Sequence, residues 1–170
     1  MVELILFIVV ISAAVVGVLA VMNFTASRSV DPQIHKQALS IAEALMEEVS
    51  LAKFTWCDPA DPDAETANDA TECHAAPESV GAESGNARPY DNVNDYVSSY
   101  GVEQPLPILD VNGSNSGPAN YRAWITISQE SLGGIQAADS LHIRIRVAYG
   151  STEMAVLDGY RTRYAPNVLP

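Results

Sequence analysis

The sequence predicts an α+β fold, in which a long N-terminal helix packs its second half on a C-terminal antiparallel sheet. An uncharged apolar run extends from Leu4 to Met22, and apolar residues recur at helical spacing from Ile34 to Phe54. Two segments of the last third alternate between apolar and polar residues. Apolar residues three and four positions apart share one face of a helix, whereas alternating ones share one face of a strand.

The first stretch, residues 1–24, has the length of a membrane-spanning helix. The uncharged run would span roughly 28 Å, close to the thickness of the hydrocarbon core of a bilayer. Glu3 stands at its edge, where a carboxylate is costly unless it has a partner. We interpret the run as a helix that lies in a membrane and later packs among copies of itself. The alternatives are a signal peptide, with an acid where a basic region belongs, and a plain anchor with Glu3 among the headgroups.

Residues 25–54 are predicted to continue this helix with an amphipathic face. Residues 23–32 are polar and poor helix formers, and Pro32 lacks an N–H donor, so we expect a kink there or a break with Asp31 capping the next helix. Beyond this point an apolar stripe indicates a helix that packs on a sheet. The stripe consists of Ile34, Ala38, Ile41, Leu45, Val49 and Ala52, widened by Leu39, Ala42 and Met46.

Residues 55–118 are predicted to be an acidic loop region. They hold twelve of the 21 acidic residues and one basic residue, Arg88, in a chain of net charge −12. Prolines and glycines interrupt the segment, so we expect only a short helix or strand near residues 92–102 and a short extended piece from Leu106 to Val111. A chain this acidic is repelled by phosphate backbones, and we therefore expect no nucleic-acid partner.

The two cysteines, Cys57 and Cys73, are expected to form a disulfide, because an even count is typical of a domain outside the cytoplasm. The alternative is a pair of free buried thiols. A zinc site is not expected: His74 follows Cys73, but the sequence offers no further cysteine or paired histidine to complete four ligands.

A weak calcium candidate lies at Asp110, Asn112 and Ser114, which place oxygen ligands at alternate positions. The loop lacks the sixth-position glycine and the distal glutamate of an EF-hand. We prefer a solvated acidic face without a cofactor, and calcium is the alternative. A second set of carboxylates that could cluster on a cation is Asp58, Asp61 and Asp63.

Residues 119–170 are predicted to form an antiparallel β-meander of three strands and a tail. Apolar residues alternate from Tyr121 to Ile127 and from Leu141 to Tyr149, and a third strand starts at Met154. A bulge is expected at Asp158–Gly159. The apolar face should rest on the helix, and the outer face is predicted to be basic, with Arg122, Arg144, Arg146, Arg161 and Arg163.

The N-terminal run resembles the type IV pilin superfamily. In that family a short leader ends in glycine, and the mature chain begins with a sequence close to Phe-Thr-Leu-Val-Glu-Leu-Ile. Residues Val2 to Ile5 match the core of this motif, and Glu3 stands where the family has its glutamate, although two residues nearer the start. The segment from Gly159 to Pro166 resembles minor pilins of the prepilin-type cleavage and methylation group, close to the mannose-sensitive haemagglutinin type.

The resemblance implies a pilin-like fold and a structural role, as a minor pilin or pseudopilin of a type IV pilus or type II secretion filament. The implied partners are other pilin subunits, the assembly machinery and, before assembly, the membrane. The implied location is the bacterial inner membrane as a precursor, and then a cell-surface or periplasmic filament. Glu3 would orient each incoming chain by pairing with the N-terminal amine of a neighbour.

The rival hypothesis is a single-pass, membrane-anchored extracytoplasmic domain that acts as a binding module or adhesin. An enzyme is not expected. His35, His74 and His142 fall in different sequence contexts, neither cysteine has a plausible base, and the sequence contains no nucleophile elbow or P-loop.

Overall fold

The computed structural model describes residues 2–110, 112–114 and 117–163, with only the backbone described for residues 25–31. The fold is α+β, as predicted: one long helix is followed by a four-stranded antiparallel sheet. Chain contacts divide the protein into two compact units, one ending at Gln37 and one starting at Ala38. The elements are α1 (Val2–Leu51), β1 (Gln104–Pro105), β2 (Tyr121–Gln129), β3 (Ser140–Tyr149) and β4 (Thr152–Thr162).

Helix α1 continues through Pro32, so the predicted break at Asp31 is wrong. A proline inside a helix removes its own N–H donor and crowds one preceding carbonyl, but the hydrogen bonds on either side can hold the helix together. The side chain of Asp31 lies outside the described residues. The kink at Pro32 stays a prediction.

The helix ends at Leu51, three residues before the predicted end at Phe54. The N–H of Ala52 still donates to the carbonyl oxygen of Val49, but from Lys53 onwards the backbone pairs with a distant segment. The N–H of Lys53 donates to the carbonyl oxygen of Asp91, and the N–H of Val93 donates to that of Lys53, both at 2.9 Å. These tertiary hydrogen bonds compete with the last helical turn, and no local sequence pattern reports them.

The sheet has the strand order β1-β2-β3-β4, and all three pairings are antiparallel. Ile125 of β2 lies opposite Ile145 of β3, which lies opposite Leu157 of β4. The three-strand antiparallel meander predicted for residues 119–170 is confirmed by β2, β3 and β4. The fourth strand, β1, precedes that segment and was not predicted. Strand β1 is too short to show alternation, and it contains Pro105, a residue suited to an edge strand.

The prediction of a bulge at Asp158–Gly159 is wrong, because both residues pair in regular register with β3. The register between β3 and β4 shifts between Val147 and Ala148, so that the extra residue of β4 is Met154. Gly159 serves a different purpose. A Cβ atom placed on it would lie 3.0 Å from the sulfur of Met46, so the missing side chain lets α1 approach β4 closely.

The core lies between residues 38–51 of α1 and one face of the sheet. Along the helix the small residues Ala38 and Ala42 are followed by Leu45 and Val49, and all four are buried. The predicted element near residues 92–102 is present as a 3₁₀ turn, Val93–Tyr96, whose residues complete the core. From the sheet the core receives Ala123, Ile125, Ile127, Leu141, Ile143, Ile145, Val147 and Ala155.

Candidate functional site

The segment Val2–Phe24 of α1 is long and apolar enough to cross a membrane. Every side chain in it is exposed, unlike the core helix of a soluble protein. Its hydroxyl group is satisfied locally, since Ser12 Oγ donates to the carbonyl oxygen of Ile8 at 2.7 Å. A helix that satisfies its own polar groups and exposes apolar side chains all round is suited to an apolar environment.

Glu3 lies in the first turn of this helix, with its side chain exposed. A carboxylate is favourable near the N-terminus of a helix, because the unpaired N–H groups there give the end a partial positive charge. The predicted pairing of Glu3 involves a second chain, and it stays a prediction.

A disulfide joins Cys57 and Cys73, with their Cα atoms 5.4 Å apart, which confirms the predicted pair. The carboxylate of Asp61 reinforces the loop that this bond closes. It accepts hydrogen bonds from the N–H groups of Asp63 at 2.9 Å and Ala75 at 2.8 Å. The N–H of Asp63, followed by those of Ala75 and His74, lowers the pKa of Asp61 below its usual range.

The aspartates of this loop are used by the backbone rather than gathered around a point. Asp58 Oδ1 accepts the N–H of Ala60 at 2.7 Å, much as Asp61 accepts that of Asp63. Among the described residues, the acidic side chains that lie close enough together to hold one ion are Glu78, Glu83 and Asp95. Asp58, Asp61 and Asp63, the second set that could cluster on a cation, therefore do not bring their carboxylates together in this structure.

The residues of the calcium candidate, Asp110, Asn112 and Ser114, are joined to one another by hydrogen bonds. Asp110 Oδ1 accepts the N–H groups of Asn112 at 2.8 Å and Ser114 at 2.9 Å. The N–H of Asp110 donates to the carbonyl oxygen of Ser114. These hydrogen bonds account for the aspartate without an ion, and calcium binding by these three residues stays an untested prediction.

A cluster of three carboxylates, which sequence reasoning missed, comes from Glu78, Glu83 and Asp95. One oxygen of each lies within 4.8 Å of the others. Burial, followed by the charges of the neighbouring carboxylates, raises the pKa of Glu78 to about 8 and that of Asp95 to about 7. The residues are far apart in a loop without periodicity, so only the folded chain shows that they meet.

Arg88 ties the acidic region to α1. Its guanidinium group donates two hydrogen bonds to the carboxylate of Glu48, each at 2.7 Å, and the hydroxyl group of Tyr96 donates a third at 2.9 Å. Burial alone would raise the pKa of Glu48, but the hydrogen bonds and charge of Arg88, with the Tyr96 hydroxyl, hold it below its usual value. Arg88, the only lysine or arginine in residues 55–118, thus holds this region against Glu48 of α1.

The outer face of the sheet is less basic than predicted, because its arginines are paired within the chain. Arg144 donates to Asp158 at 2.8 Å, and Arg146 donates to Glu103 at 2.7 and 2.8 Å. Both acceptors are acidic residues of the same chain, so the charge that this face offers to other molecules is reduced.

Two of the predicted outer arginines lie on the other side of the sheet. Arg161 pairs in register with the buried Leu141 and donates to the carbonyl oxygen of Ala52. Arg163 stacks between the rings of Phe54 and Trp56, 3.9 Å from each ring centre. The prediction failed for these two because the bulge at Met154 reverses the alternation of β4 beyond it.

A groove of about 470 Å³ lies at the β1 edge of the sheet. Such a volume falls in the range of small-ligand sites. Its lining combines aromatic, apolar and cationic side chains, and it includes Pro105, Leu106, Ile108, Tyr121, Arg122 and Trp124. Sequence reasoning placed no site here, since the lining comes from segments separated by the loop before β2.

No protein-family model, curated protein or solved structure matches the chain. The N-terminal resemblance to pilins therefore rests on the motif around Glu3 and on the α+β architecture.

Proposed function

We propose that the chain is a structural subunit, a minor pilin or pseudopilin of a type IV pilus or type II secretion filament. The observation that carries the proposal is the segment Val2–Phe24, an apolar helix with every side chain exposed, in the same chain as a separate α+β unit. A membrane would surround this segment before assembly, and neighbouring copies or other pilins would surround it afterwards. In this role the chain becomes part of a filament and catalyses no reaction.

Glu3 gives this packing a fixed register. In a core formed by apolar helices, an unpaired carboxylate is costly, so a subunit is stable only where Glu3 meets a positive group. The simplest such group is the N-terminal amine of a neighbouring chain, which other subunits present at a constant height. Pairing of this kind would select one axial position among many that are equally apolar.

The substitution Glu3→Ala tests this role. We expect it to leave the α+β unit folded and the chain in the membrane, but to reduce its incorporation into filaments by about tenfold or more, because the pairing that stabilises the correct register is lost. The control is Glu43→Ala, an exposed glutamate in the other unit of the chain. Normal filament content of Glu3→Ala would contradict the proposed role of Glu3.

The alternative, a membrane-anchored extracytoplasmic binding domain or adhesin, is favoured by one observation, the groove at the β1 edge. Arg122 and Trp124 of its lining would suit an anionic or aromatic ligand, since the guanidinium group lies 5.7 Å from the centre of the ring. In this alternative the apolar helix only holds the domain at the surface. Any other apolar helix of the same length would then serve.

A further inference from the structure

The carboxylates of Glu78, Glu83 and Asp95 have the spacing of ligands on one metal ion. Calcium binds oxygen ligands at about 2.4 Å, so two of its ligands are at most about 4.8 Å apart. One oxygen from each of the three residues meets this limit with respect to both others. The donors are all carboxylate oxygens, which suit a hard cation such as calcium rather than zinc or copper.

A second observation points to a missing partner. Asp95 is only 4% exposed. Its Oδ2 accepts a hydrogen bond of 3.3 Å from the N–H of Asn92, but its Oδ1 is inaccessible to solvent and has no donor among the described residues. Glu78 Oε2 is in the same state. Buried carboxylate oxygens without a donor are strongly destabilising, so some positive group must compensate them.

The neighbouring amide supplies one more oxygen without a donor. Asn94 is 3% exposed, and its Nδ2 donates to the carbonyl oxygen of Ser79 at 2.6 Å and lies 3.4 Å from Glu78 Oε1. Its Oδ1 is buried and has no donor among the described residues. Buried oxygens without a donor are thus found on Glu78, on Asp95 and on Asn94, whose amide nitrogen lies beside the Glu78 carboxylate.

The charges around the cluster do not neutralise it. The acidic neighbours that act on it are Asp58, next to Glu78, and Asp91, next to Asp95. Of the described basic groups, Arg163 is close enough to Glu78 to be affected by its charge, but it stacks on aromatic rings and forms its ion pair with Asp139. Glu83 accepts from the uncharged Asn86 side chain, at 3.3 Å.

We propose that Glu78, Glu83 and Asp95 bind one calcium ion, which fixes residues 78–95 of the acidic region against the core. Water molecules would complete the coordination on the side of Glu78 and Glu83, which are only partly buried. This site is distinct from the candidate at Asp110, and it would bind whether or not the chain assembles into a filament.

Protons are the competing occupants. A carboxylate must be deprotonated to bind a metal ion, so protons and calcium compete for the same oxygens. Calcium must displace the protons, and its binding therefore weakens as the pH falls. A cluster that binds only protons would show no response to calcium at any pH.

The test uses the full chain in detergent micelles, stripped of metal and titrated with calcium by calorimetry and thermal unfolding. At about pH 8 we expect one ion per chain, a Kd on the order of 0.1–1 mM and a melting temperature higher by several degrees in excess calcium. At about pH 5 the shift should largely disappear. Terbium, which replaces calcium and is sensitised by nearby tyrosine, should luminesce beside Tyr96.

Matched variants separate the two candidate sites. Asp95→Asn and Glu83→Gln should abolish binding while the chain stays folded, because each removes a repelling charge from a crowded cluster. Asp110→Asn should bind calcium as the native chain does. The proposal is overturned if the native chain shows no calcium response at about pH 8, if Asp95→Asn binds normally, or if Asp110→Asn alone abolishes binding.

Discussion

Two segments of α1 share one secondary structure and differ in where their apolar side chains lie. In Val2–Phe24 every side chain is exposed, whereas in residues 38–51 the apolar stripe is buried against the sheet. Leu6 is 63% exposed and Leu45 is 5% exposed. The second segment finds its apolar partner within the chain. The first does not find one among the residues that the structure describes.

The difference follows from the pattern of apolar residues rather than from their number. Residues 38–51 are apolar on one face, which matches one face of a sheet. The first segment is apolar all round, so no single surface of a small domain could cover it. A membrane, or a bundle of similar helices, surrounds a helix on all sides and can do so. This difference between the two segments is compatible with the proposed assembly role, and mutations in each segment can test it.

The largest expected effect comes from truncating one leucine in each segment. Leu45→Ala should lower the free energy of unfolding of the α+β unit by about 2–5 kcal/mol, because it leaves a cavity in the core. Leu6→Ala should change it by less than about 0.5 kcal/mol. Denaturation of the full chain in micelles, followed by the fluorescence of Trp56 and Trp124, measures both. Equal losses would show that the first segment also belongs to the domain core.

Removal of the disulfide should have the next largest effect, again confined to one region. The bond between Cys57 and Cys73 closes a loop with a sequence separation of 16 residues. Its loss in the double serine variant should cost about 3 kcal/mol in the chain-entropy account of cross-links. The same denaturation measures this loss. Partitioning of the chain into membranes should stay unchanged, and a chain released from the membrane would contradict the independence of the two regions.

A smaller effect is expected where the acidic region meets α1. Arg88→Ala should cost about 1–3 kcal/mol, because Arg88 is 8% exposed and its loss leaves Glu48 without its charged partner. The matched control is Arg144→Ala, whose exposed pair with Asp158 should contribute less than about 1 kcal/mol.

The stabilisation that Arg88 contributes should depend on pH in a definite direction. The folded-state pKa of Glu48 lies below its ordinary value of 4.5, so the stability that Arg88 contributes is present above that pH and is lost as the pH falls through the folded-state pKa. The gap between native and Arg88→Ala chains should therefore close in acid. A gap that stays constant would mean that Arg88 acts through packing alone.

Local patterns predicted those parts of the fold that local patterns encode. The alternation at Ile125 and Ile127 identified the buried face of β2, and the stripe through Leu45 identified the buried face of α1, because side-chain direction follows directly from strand and helix periods. The disulfide followed from the cysteine count. The motif around Glu3 suggested assembly, and that role remains a proposal.

What could not be predicted depends on contacts between distant segments. The bulge at Met154 redirects Arg161 and Arg163, and Gly159 is small because Met46 of α1 passes over it. The carboxylates of the proposed calcium site come together only when the loop folds back on the core. A loop without periodicity gives no signal of which of its residues will meet.

The most direct test of the central claim is an exchange of residues 2–24 for an unrelated apolar helix of the same length, followed by quantification of the chain in sheared surface filaments and in membranes. If the segment packs among subunits, the exchanged chain should keep a folded domain and stay in the membrane, but it should be absent from filaments that contain the native chain. If the exchanged chain enters filaments as well as the native chain does, or if the native chain never leaves the membrane, the segment is only an anchor and the assembly account is contradicted.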